Sequence, residues 1–195
     1  MATKLIVGLG NPDTEYEQTR HNLGTMFIDY LAKEADVEFS EDQKTGALVA
    51  KTKVDIGGKT TTAVLVKPQS YVNVTGPVVM NLAKAFKVKP ADTIIVQDDL
   101  DIPFGNIKLS FDKNSGGHRG IESIMKSLKT KAFFRLRLGI ANTALAKAYR
   151  QPKTKDDAIK KFVLAKFTPT ETASVKKTFK AATELLASPG TQLAQ

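Results

Sequence analysis

The feature that most constrains the fold is a regular alternation of short apolar runs with stretches of helical periodicity. The apolar runs at residues 4–9 and 93–97 predict buried strands. Between them, Leu23, Phe27 and Leu31 recur at the spacing of one helix face. Strands that alternate with helices favour a three-layer α/β domain, in which helices cover both faces of one sheet.

A tight turn indicates that the sheet is not wholly parallel. Residues 47–54 and 59–66 form two strand-like runs, and Gly57-Gly58 between them is typical of a hairpin. We therefore expect a single domain over residues 1–195, with a twisted, mixed, mostly parallel sheet flanked by helices. The remaining predicted elements are a helix that begins at Gly76, strands at 107–111 and 135–141, a helix at 120–128 and a C-terminal helix at 168–188.

Charge is distributed unevenly along the 195 residues, which carry a net charge of +9. Residues 1–97 contain 11 Lys/Arg and 11 Asp/Glu, whereas residues 98–195 contain 18 and 9. A basic half is typical of a protein that binds phosphates, although a basic face can also serve solubility alone. The basic segment at 143–162, interrupted at Gln151-Pro152, is a candidate lid over a binding site.

Several classes of protein are disfavoured by what the sequence lacks. It contains no Cys, which excludes disulfides, thiolate metal sites and a Cys nucleophile. No window is apolar enough to span a membrane, and the N-terminal residues enter a strand pattern at once, leaving no room for a targeting signal. Without Cys, a targeting signal or a membrane span, we expect a cytoplasmic protein with no membrane partner. Because there is also no coiled-coil pattern, we expect a monomer.

The first strand leads into Gly8-Leu9-Gly10, which has the form of a dinucleotide-binding loop. Such a loop needs a third Gly three residues later, and Asp13 occupies that position. Pro12 also lacks the backbone N–H that a phosphate cradle would use. A nucleotide-dependent enzyme is therefore a disfavoured alternative.

The chain has two histidines, His21 and His118, and each lies between a loop and a predicted helix start. A lone His is most often structural. At a helix N-terminus, however, the helix dipole disfavours the imidazolium, which favours a neutral ring that can accept a proton near pH 7. Both histidines are therefore candidates for acid–base chemistry, and His21 is the candidate general base.

A general base needs an acid that orients it, and Asp98, Asp99 and Asp101 follow the predicted strand at 93–96. The carboxyl ends of strands are where α/β sheets place their sites. Three acids could also bind Mg²⁺ together with substrate phosphates, or could brace a turn through backbone N–H groups. We expect one acid to orient His21 and the others to brace the loop.

Two asparagines complete the set of candidate residues. Asn11 follows the first strand, and Asn73 lies in a polar loop before the predicted helix at Gly76. A carboxamide offers two donors and an acceptor without charge, which suits a peptide backbone or a developing oxyanion. The alternative is that each Asn only caps a turn.

Together these residues fall into five motifs. They are Gly8-Leu9-Gly10-Asn11-Pro12 with Tyr16, Thr19-Arg20-His21-Asn22-x-Gly24, Lys67-Pro68-Gln69-x-Tyr71-x-Asn73-x-x-Gly76, Asp98-Asp99-Leu100-Asp101-x-Pro103-x-Gly105, and Gly116-Gly117-His118. In order and spacing they resemble bacterial-type peptidyl-tRNA hydrolase over about residues 4–140, and the tail at 162–167 also fits. Five motifs in register make the resemblance specific.

The resemblance implies hydrolysis of the ester between a peptide and the 3′ ribose of tRNA, with no metal or organic cofactor. His21 then matches the base that activates water, and Asp98 matches the acid that holds and polarises this base. Asn11 and Asn73 match the residues that grip the peptide backbone and the reacting carbonyl. Further matches are Tyr16 and Tyr71 along the peptide groove, His118 at the substrate, and Lys108 and Arg137 at the acceptor stem and 3′ end of the tRNA. Arg119 occupies a second position at the substrate.

The chain also departs from the family pattern. Asp13 stands where the family usually has Gly, and Arg119 where it usually has Asn. Arg has donors only, so at this position it cannot accept a hydrogen bond from water, but it could contact a phosphate or pair with Asp98 or Asp101. Ser110 also replaces a phosphate-contacting Lys. A catalytically weak RNA-binding protein on the same fold is therefore the alternative function.

Overall fold

The computed structural model describes residues 3–148 and 155–189, and these form one seven-stranded sheet. The strands are β1 (Lys4–Gly8), β2 (Ser40–Glu41), β3 (Leu48–Ile56), β4 (Lys59–Lys67), β5 (Thr93–Pro103), β6 (Ile107–Phe111) and β7 (Phe134–Ala141). Their order is β2-β3-β4-β1-β5-β7-β6. The four central strands, β4, β1, β5 and β7, run parallel, and the outer pairs β2–β3, β3–β4 and β6–β7 are antiparallel. The predicted mixed sheet is confirmed, with its parallel part at the centre.

Helices connect the strands in the predicted alternation. They are α1 (Leu23–Glu34), α2 (Gly76–Ala85), α3 (Arg119–Leu128), α4 (Thr143–Ala148), α5 (Lys155–Val163) and α6 (Pro169–Ala187). Short 3₁₀ turns at Thr14–Tyr16, Arg20–Asn22 and Val72–Val74 lie in the connections near the carboxyl edge of β1 and β4. Over the described ranges, no helix combines the length and the apolar character that a membrane crossing requires.

The hydrophobic core has two parts, one on each face of the sheet. On one face, α1 and α6 pack against the strands, with the Phe27 and Phe179 ring centroids 5.4 Å apart. On the other face, α2 and α3 contribute fully buried residues such as Leu82 and Ile121. Helices on both faces of one sheet confirm the predicted three-layer α/β fold.

Helix α1 approaches the sheet unusually closely at two glycines. A Cβ atom on Gly8 would collide with the carbonyl oxygen of Gly24, and one on Gly24 with the carbonyl oxygen of Val96. These glycines therefore serve helix-to-strand packing, which explains the first loop without a bound phosphate. The contact brings the start of α1, and the residue His21 just before it, to the carboxyl edge of the sheet.

The acidic run lies inside a strand, which corrects the prediction that it follows one. Strand β5 continues to Pro103, so Asp98, Asp99 and Asp101 are strand residues. Asp98 and Asp99 pair with β7, and the register shifts between Asp99 and Pro103. Hydrogen bonds to β7 outweigh the low strand propensity of Asp. Because side chains alternate along a strand, Asp98 and Asp99 point to opposite faces of the sheet.

The predicted basic lid at 143–162 coincides with α4 and α5. Residues 149–154, in the middle of this segment, lie outside the described residues. Leu145 of α4 and Phe162 of α5 are buried in the same part of the core as α6. Movement of the segment as a lid stays a prediction.

A buried ion pair ties the turn at Arg20 to α6. Arg20 Nη2 donates to both carboxylate oxygens of Glu171, at 2.9 and 2.8 Å, and Nη1 donates to the carbonyls of Ala165 and Lys166 at 3.2 Å. Glu171 also accepts the backbone N–H of Thr168 in the capping box that begins α6. The side chains of Arg20 and Glu171 are only 8% and 15% exposed, so solvent screens their attraction little.

We expect Glu171→Gln to lower the free energy of unfolding by about 3 kcal/mol, because the change leaves the buried Arg20 charge without its counter-ion. Burial alone would raise the pKa of Glu171, but hydrogen bonds from Thr168 and Arg20 and the charge of Arg20 hold it below the ordinary 4.5. The carboxylate therefore stabilises the fold fully above pH 4.5, and this contribution is lost as the pH falls through the lower folded-state pKa.

Denaturant unfolding of the parent and the variant across the acidic range measures this difference. Glu184→Gln, an exposed acid on the same helix, is the matched control. An equal loss of stability in the two variants, or a difference that persists at the lowest pH, would contradict the prediction.

Candidate active site

Asp98 lies at the centre of the site because two histidines share one of its carboxylate oxygens. His21 Nδ1 is 3.0 Å from Asp98 Oδ1, and His118 Nε2 is 3.3 Å from the same oxygen. The centroids of the two imidazole rings are 5.5 Å apart. The Asp98 side chain is 4% exposed and that of His21 is 21% exposed, so water reaches the His21 ring while the carboxylate stays covered.

The hydrogen bonds determine which nitrogen of each histidine carries a proton. His118 Nδ1 accepts the backbone N–H of Gly120 at 3.2 Å, so a neutral His118 carries its proton on Nε2 and donates it to Asp98. An ionised carboxylate only accepts, so His21 donates from Nδ1. His21 Nε2 therefore keeps its lone pair and makes no hydrogen bond to any residue that the structure describes. It is the basic atom of the site.

Asp98 makes His21 a stronger base than an isolated imidazole. Burial alone would lower the pKa of His21, but the charge of Asp98 and the hydrogen bond to it raise that pKa above the ordinary 6.5. Burial would likewise raise the pKa of Asp98, yet the charge of His21 and the hydrogen bonds from both histidines hold it well below its usual range. The expectation of a neutral His21 from the helix dipole alone left out the effect of the buried carboxylate.

The same three residues could in principle hold a metal ion, since their ligand atoms lie within 4.8 Å of one another. An ion there would displace the protons of His21 Nδ1 and His118 Nε2, and with them both hydrogen bonds to Asp98. The carboxylates of the acidic run, where Mg²⁺ was an alternative, do not form a ligand cluster, because Asp99 binds Arg137 while Asp98 binds the histidines. The hydrogen-bond network is that of an acid–base site.

Asn11 is fixed between two other segments. Its backbone N–H and carbonyl bind the Asn22 carboxamide, each at 2.9 Å, and its side-chain oxygen accepts the N–H of Val72 at 3.0 Å. Because the oxygen is used, the NH₂ group is the end of Asn11 that can donate to a carbonyl in the cleft. Sequence reasoning missed this role of Asn22, although Asn22 lies in the same motif as His21.

Asn73 and Arg119 lie at one groove, where Asn73 belongs to the turn before α2 and Arg119 is the first residue of α3. Both are exposed, and within residues 3–148 and 155–189 neither side chain makes a hydrogen bond or an ion pair. The pairing of Arg119 with Asp98 or Asp101 that the sequence allowed is not formed. The Asp98 oxygen is occupied by the two histidines, and the Arg119 side chain lines the groove instead.

Tyr16 and Tyr71 form an aromatic pair beside the first loop. Their rings meet edge to face, with centroids 6.3 Å apart, and the Tyr71 hydroxyl donates to Asp13 Oδ2 at 2.7 Å. Asp13, which departs from the family pattern, therefore anchors Tyr71. The two residues are 58 positions apart, so no local pattern could have predicted their contact.

The predicted tRNA-binding cations lie on neighbouring strands. Lys108 of β6 and Arg137 of β7 are directly opposite in the antiparallel register, and Lys108 is exposed. Arg137 Nε donates to Asp99 Oδ2 at 2.6 Å, which fixes the guanidinium in place. Arg135 lies two residues before Arg137, on the same side of β7, and donates to the carbonyl of Ser115 at 3.1 Å. It therefore anchors the glycine-rich loop that leads to α3. Sequence reasoning missed this anchor.

The fold and the site define a class of protein. A base–acid pair with a free imidazole nitrogen lies at the carboxyl edge of an α/β sheet, beside two asparagines and an aromatic pair. The chain has no Cys and no motif that would mark a serine nucleophile. A base–acid pair of this kind at the carboxyl edge of the sheet is typical of a hydrolase.

Comparison with known proteins gives the family. A family model described as peptidyl-tRNA hydrolase matches residues 5–193, and the chain belongs to that family. It is 44% identical over 188 residues to the peptidyl-tRNA hydrolase of Aquifex aeolicus (strain VF5), covering 95% of this chain and 89% of that protein. It is 41% identical over 194 residues to that of Mycobacterium tuberculosis (strain ATCC 25618 / H37Rv), covering 98% and 94%.

Two solved structures support the same assignment. The crystal structure of peptidyl-tRNA hydrolase from Acinetobacter baumannii superposes with a TM-score of 0.78 at 29% identity, covering 95% of this chain and 88% of that one. A complex of peptidyl-tRNA hydrolase with N-propanol gives a TM-score of 0.79 at 28% identity, covering 98% and 88%.

We expect Asp98→Asn to lower the pKa of His21, because a neutral amide removes the charge that stabilises the imidazolium. In the parent, His21 should titrate above 6.5. Proton NMR measures this directly because the chain contains two histidines, and the spectrum of His118→Asn assigns the remaining signal to His21. Asp101→Asn, an exposed acid of the same strand, is the control and should leave the His21 titration in place. An unchanged His21 pKa in Asp98→Asn would contradict the electrostatic argument.

Proposed function

We propose that this chain hydrolyses peptidyl-tRNA and that His21 is the base that activates the attacking water. Membership of the peptidyl-tRNA hydrolase family supports the reaction. The observation that supports the role of His21 is its hydrogen bond from Nδ1 to Asp98, which leaves Nε2 as an unpaired base in a ring that solvent reaches.

The proposed reaction transfers the acyl group of the peptide to water. His21 Nε2 removes a proton from the water as its oxygen bonds to the ester carbonyl carbon, giving a tetrahedral intermediate. The bond from that carbon to the 3′ oxygen of the ribose then breaks, and the imidazolium returns the proton to that oxygen. The products are a peptide with a free carboxyl group and a tRNA with a 3′ hydroxyl. Asp98 stays ionised and stabilises the imidazolium.

The two asparagines serve the carbonyl and the peptide backbone. The NH₂ group of Asn11 is oriented by the bond from Val72 to its oxygen, so its donors are fixed before substrate arrives. Asn73 is exposed and can turn toward a peptide group. Donors placed in advance stabilise a developing oxyanion more than water does, because they need not reorganise. Tyr16 and Tyr71 provide an apolar wall for the peptide side chains.

The tRNA lies over the basic second half of the chain in this proposal. Lys108 and Arg137 present adjacent cations for phosphates of the acceptor stem and 3′ end. Asp99 orients Arg137 through Nε, and a guanidinium held in this way can still donate from its two Nη groups. His118 acts as a positioning residue, since it holds Asp98 in place for His21.

We further propose that the protein acts as a monomer in the cytoplasm. Among the described residues, the large apolar side chains that are exposed are Tyr71, Val74 and Phe111, and two of them adjoin the cleft. Such isolated residues do not form the apolar patch of an obligate interface. The alternative of a catalytically weak RNA-binding protein is not favoured, because the base–acid pair is complete and the family is one of hydrolases.

We expect His21→Ala to reduce kcat by roughly 10²- to 10⁴-fold, the range that a general base contributes. Affinity for deacylated tRNA should stay the same, because the imidazole makes no phosphate contact in the proposal. Single-turnover hydrolysis of an N-blocked peptidyl-tRNA gives the rate, and fluorescence anisotropy with the tRNA gives the affinity. A parallel loss of binding would place His21 in recognition rather than in catalysis.

We expect Lys108→Ala and Arg137→Ala each to weaken tRNA binding and to reduce the slope of log affinity against log salt by about one charge. Lys108→Ala is the cleaner change, since Arg137→Ala also leaves Asp99 without its partner. Lys180→Ala, on the exposed side of α6, removes the same charge elsewhere and is the matched control. A salt slope that does not change in either variant would move the tRNA surface away from β6 and β7.

A further inference from the structure

A groove between α2 and α3 begins at the proposed active site and continues away from it. Its volume is about 710 Å³, within the range of roughly 300–1,000 Å³ that is typical of ligand sites. Asn73 and Arg119 lie at the end of the groove near the site. The residues next to them in the chain, Val72 and Gly120, pack closely against each other and hold the two sides of this end together. The other lining residues are Val74, Pro77, Glu122, Ser123, Lys126, Ser127 and Lys129.

The groove carries an excess of positive charge, with three cations against one acid in its lining. Arg119, Lys126 and Lys129 line it, and across residues 3–148 and 155–189 none of them forms an ion pair. The one acid of the lining, Glu122, accepts a hydrogen bond from the Ser115 hydroxyl at 3.1 Å and offsets one of the three positive charges. Arg119 is also a cation in the first turn of a helix, a position that favours negative charge, so an anion in the groove would relieve an unfavourable interaction.

The spacing along α3 sets how far from the reacting ester this charge lies. Arg119 and Lys126 are seven residues apart, which places them on one helix face about 10 Å from each other. An extended peptide spans about 3.3 Å per residue, so a peptide that passes Arg119 reaches Lys126 about three residues further along. Val74 and Pro77 give the same groove an apolar side for the intervening residues.

We propose that this groove binds the peptide part of the substrate and selects peptides with an acidic side chain about three residues before the esterified one. This inference rests on the proposed function, because it extends the peptide path from Asn73. The cations proposed for the tRNA lie on β6 and β7, whereas the groove is built from α2 and α3, so the two charged surfaces belong to different elements. Arg119 then acts as a specificity residue at the end of the groove near the site.

The test uses three N-acetylated peptidyl-tRNAs that share one tRNA and differ at the third residue before the ester, which is Glu, Gln or Lys. We expect kcat/KM of the parent to fall in the order Glu, Gln, Lys, with about a three- to tenfold difference between Glu and Lys at low salt. This size follows from two or three solvent-exposed charge contacts. The difference should shrink as salt is added.

Lys126→Glu separates the groove from the catalytic residues. We expect it to abolish or reverse the preference between the Glu and Lys substrates, so that kcat/KM falls most for the Glu substrate and least for the Lys substrate. Lys180→Glu on α6 makes the same change of net charge at an exposed position outside the groove, and it should keep the parent's preference.

Two results would overturn the proposal. One is equal kcat/KM for the three substrates in the parent. The other is an equal loss for all three in Lys126→Glu together with weaker binding of deacylated tRNA, which would assign the groove to tRNA phosphates. If the parent hydrolyses none of the substrates, the proposed function fails. The groove is then judged from the relative affinities of the same three RNAs, measured by fluorescence anisotropy.

Discussion

The site depends on one buried carboxylate oxygen, Asp98 Oδ1, that accepts hydrogen bonds from two histidines. A charge buried to this extent is tolerated only with donors on it, and His21 and His118 are those donors. The His118 ring is itself held by the N–H of Gly120, so a backbone atom at the start of α3 determines the proton positions across the whole network. Through this chain of bonds, the fold determines that Nε2 of His21 is the nitrogen left free.

The strand that carries Asp98 also connects the chemistry with the basic surface. Neighbouring side chains of β5 point to opposite faces, so Asp98 meets the histidines while Asp99 meets Arg137. One dipeptide therefore orients the proposed base on one side and a proposed phosphate contact on the other. A short run of acids can thus serve two partners of different chemistry.

Sequence reasoning predicted the local features and missed the distant ones. The hairpin at Gly57-Gly58 and the helix that begins at Gly76 follow from turn residues and periodicity, and the structure confirms both. The prediction that the acidic run follows its strand was wrong, because pairing with β7 extends β5 and pairing partners are not visible in a single segment. The Asp13–Tyr71 hydrogen bond was not predicted either, because its two residues are 58 positions apart.

Electrostatics were also only partly accessible from the sequence. The sequence indicates the helix dipole near His21, but the opposing effect of Asp98 depends on burial and on a distance of 3.0 Å. The sequence shows that Arg119 is unusual at its position. It does not show that His118 binds the Asp98 carboxylate, with which Arg119 could otherwise pair.

The Arg20–Glu171 pair has a consequence for how the protein is made. The two residues are 151 positions apart, and the arginine directly precedes the proposed base. During synthesis, the segment that carries His21 leaves the ribosome long before the helix that holds it in place. A nascent chain interrupted before residue 171 therefore has every proposed catalytic residue but lacks the counter-ion for Arg20, so the turn before His21 is fixed only after α6 has emerged.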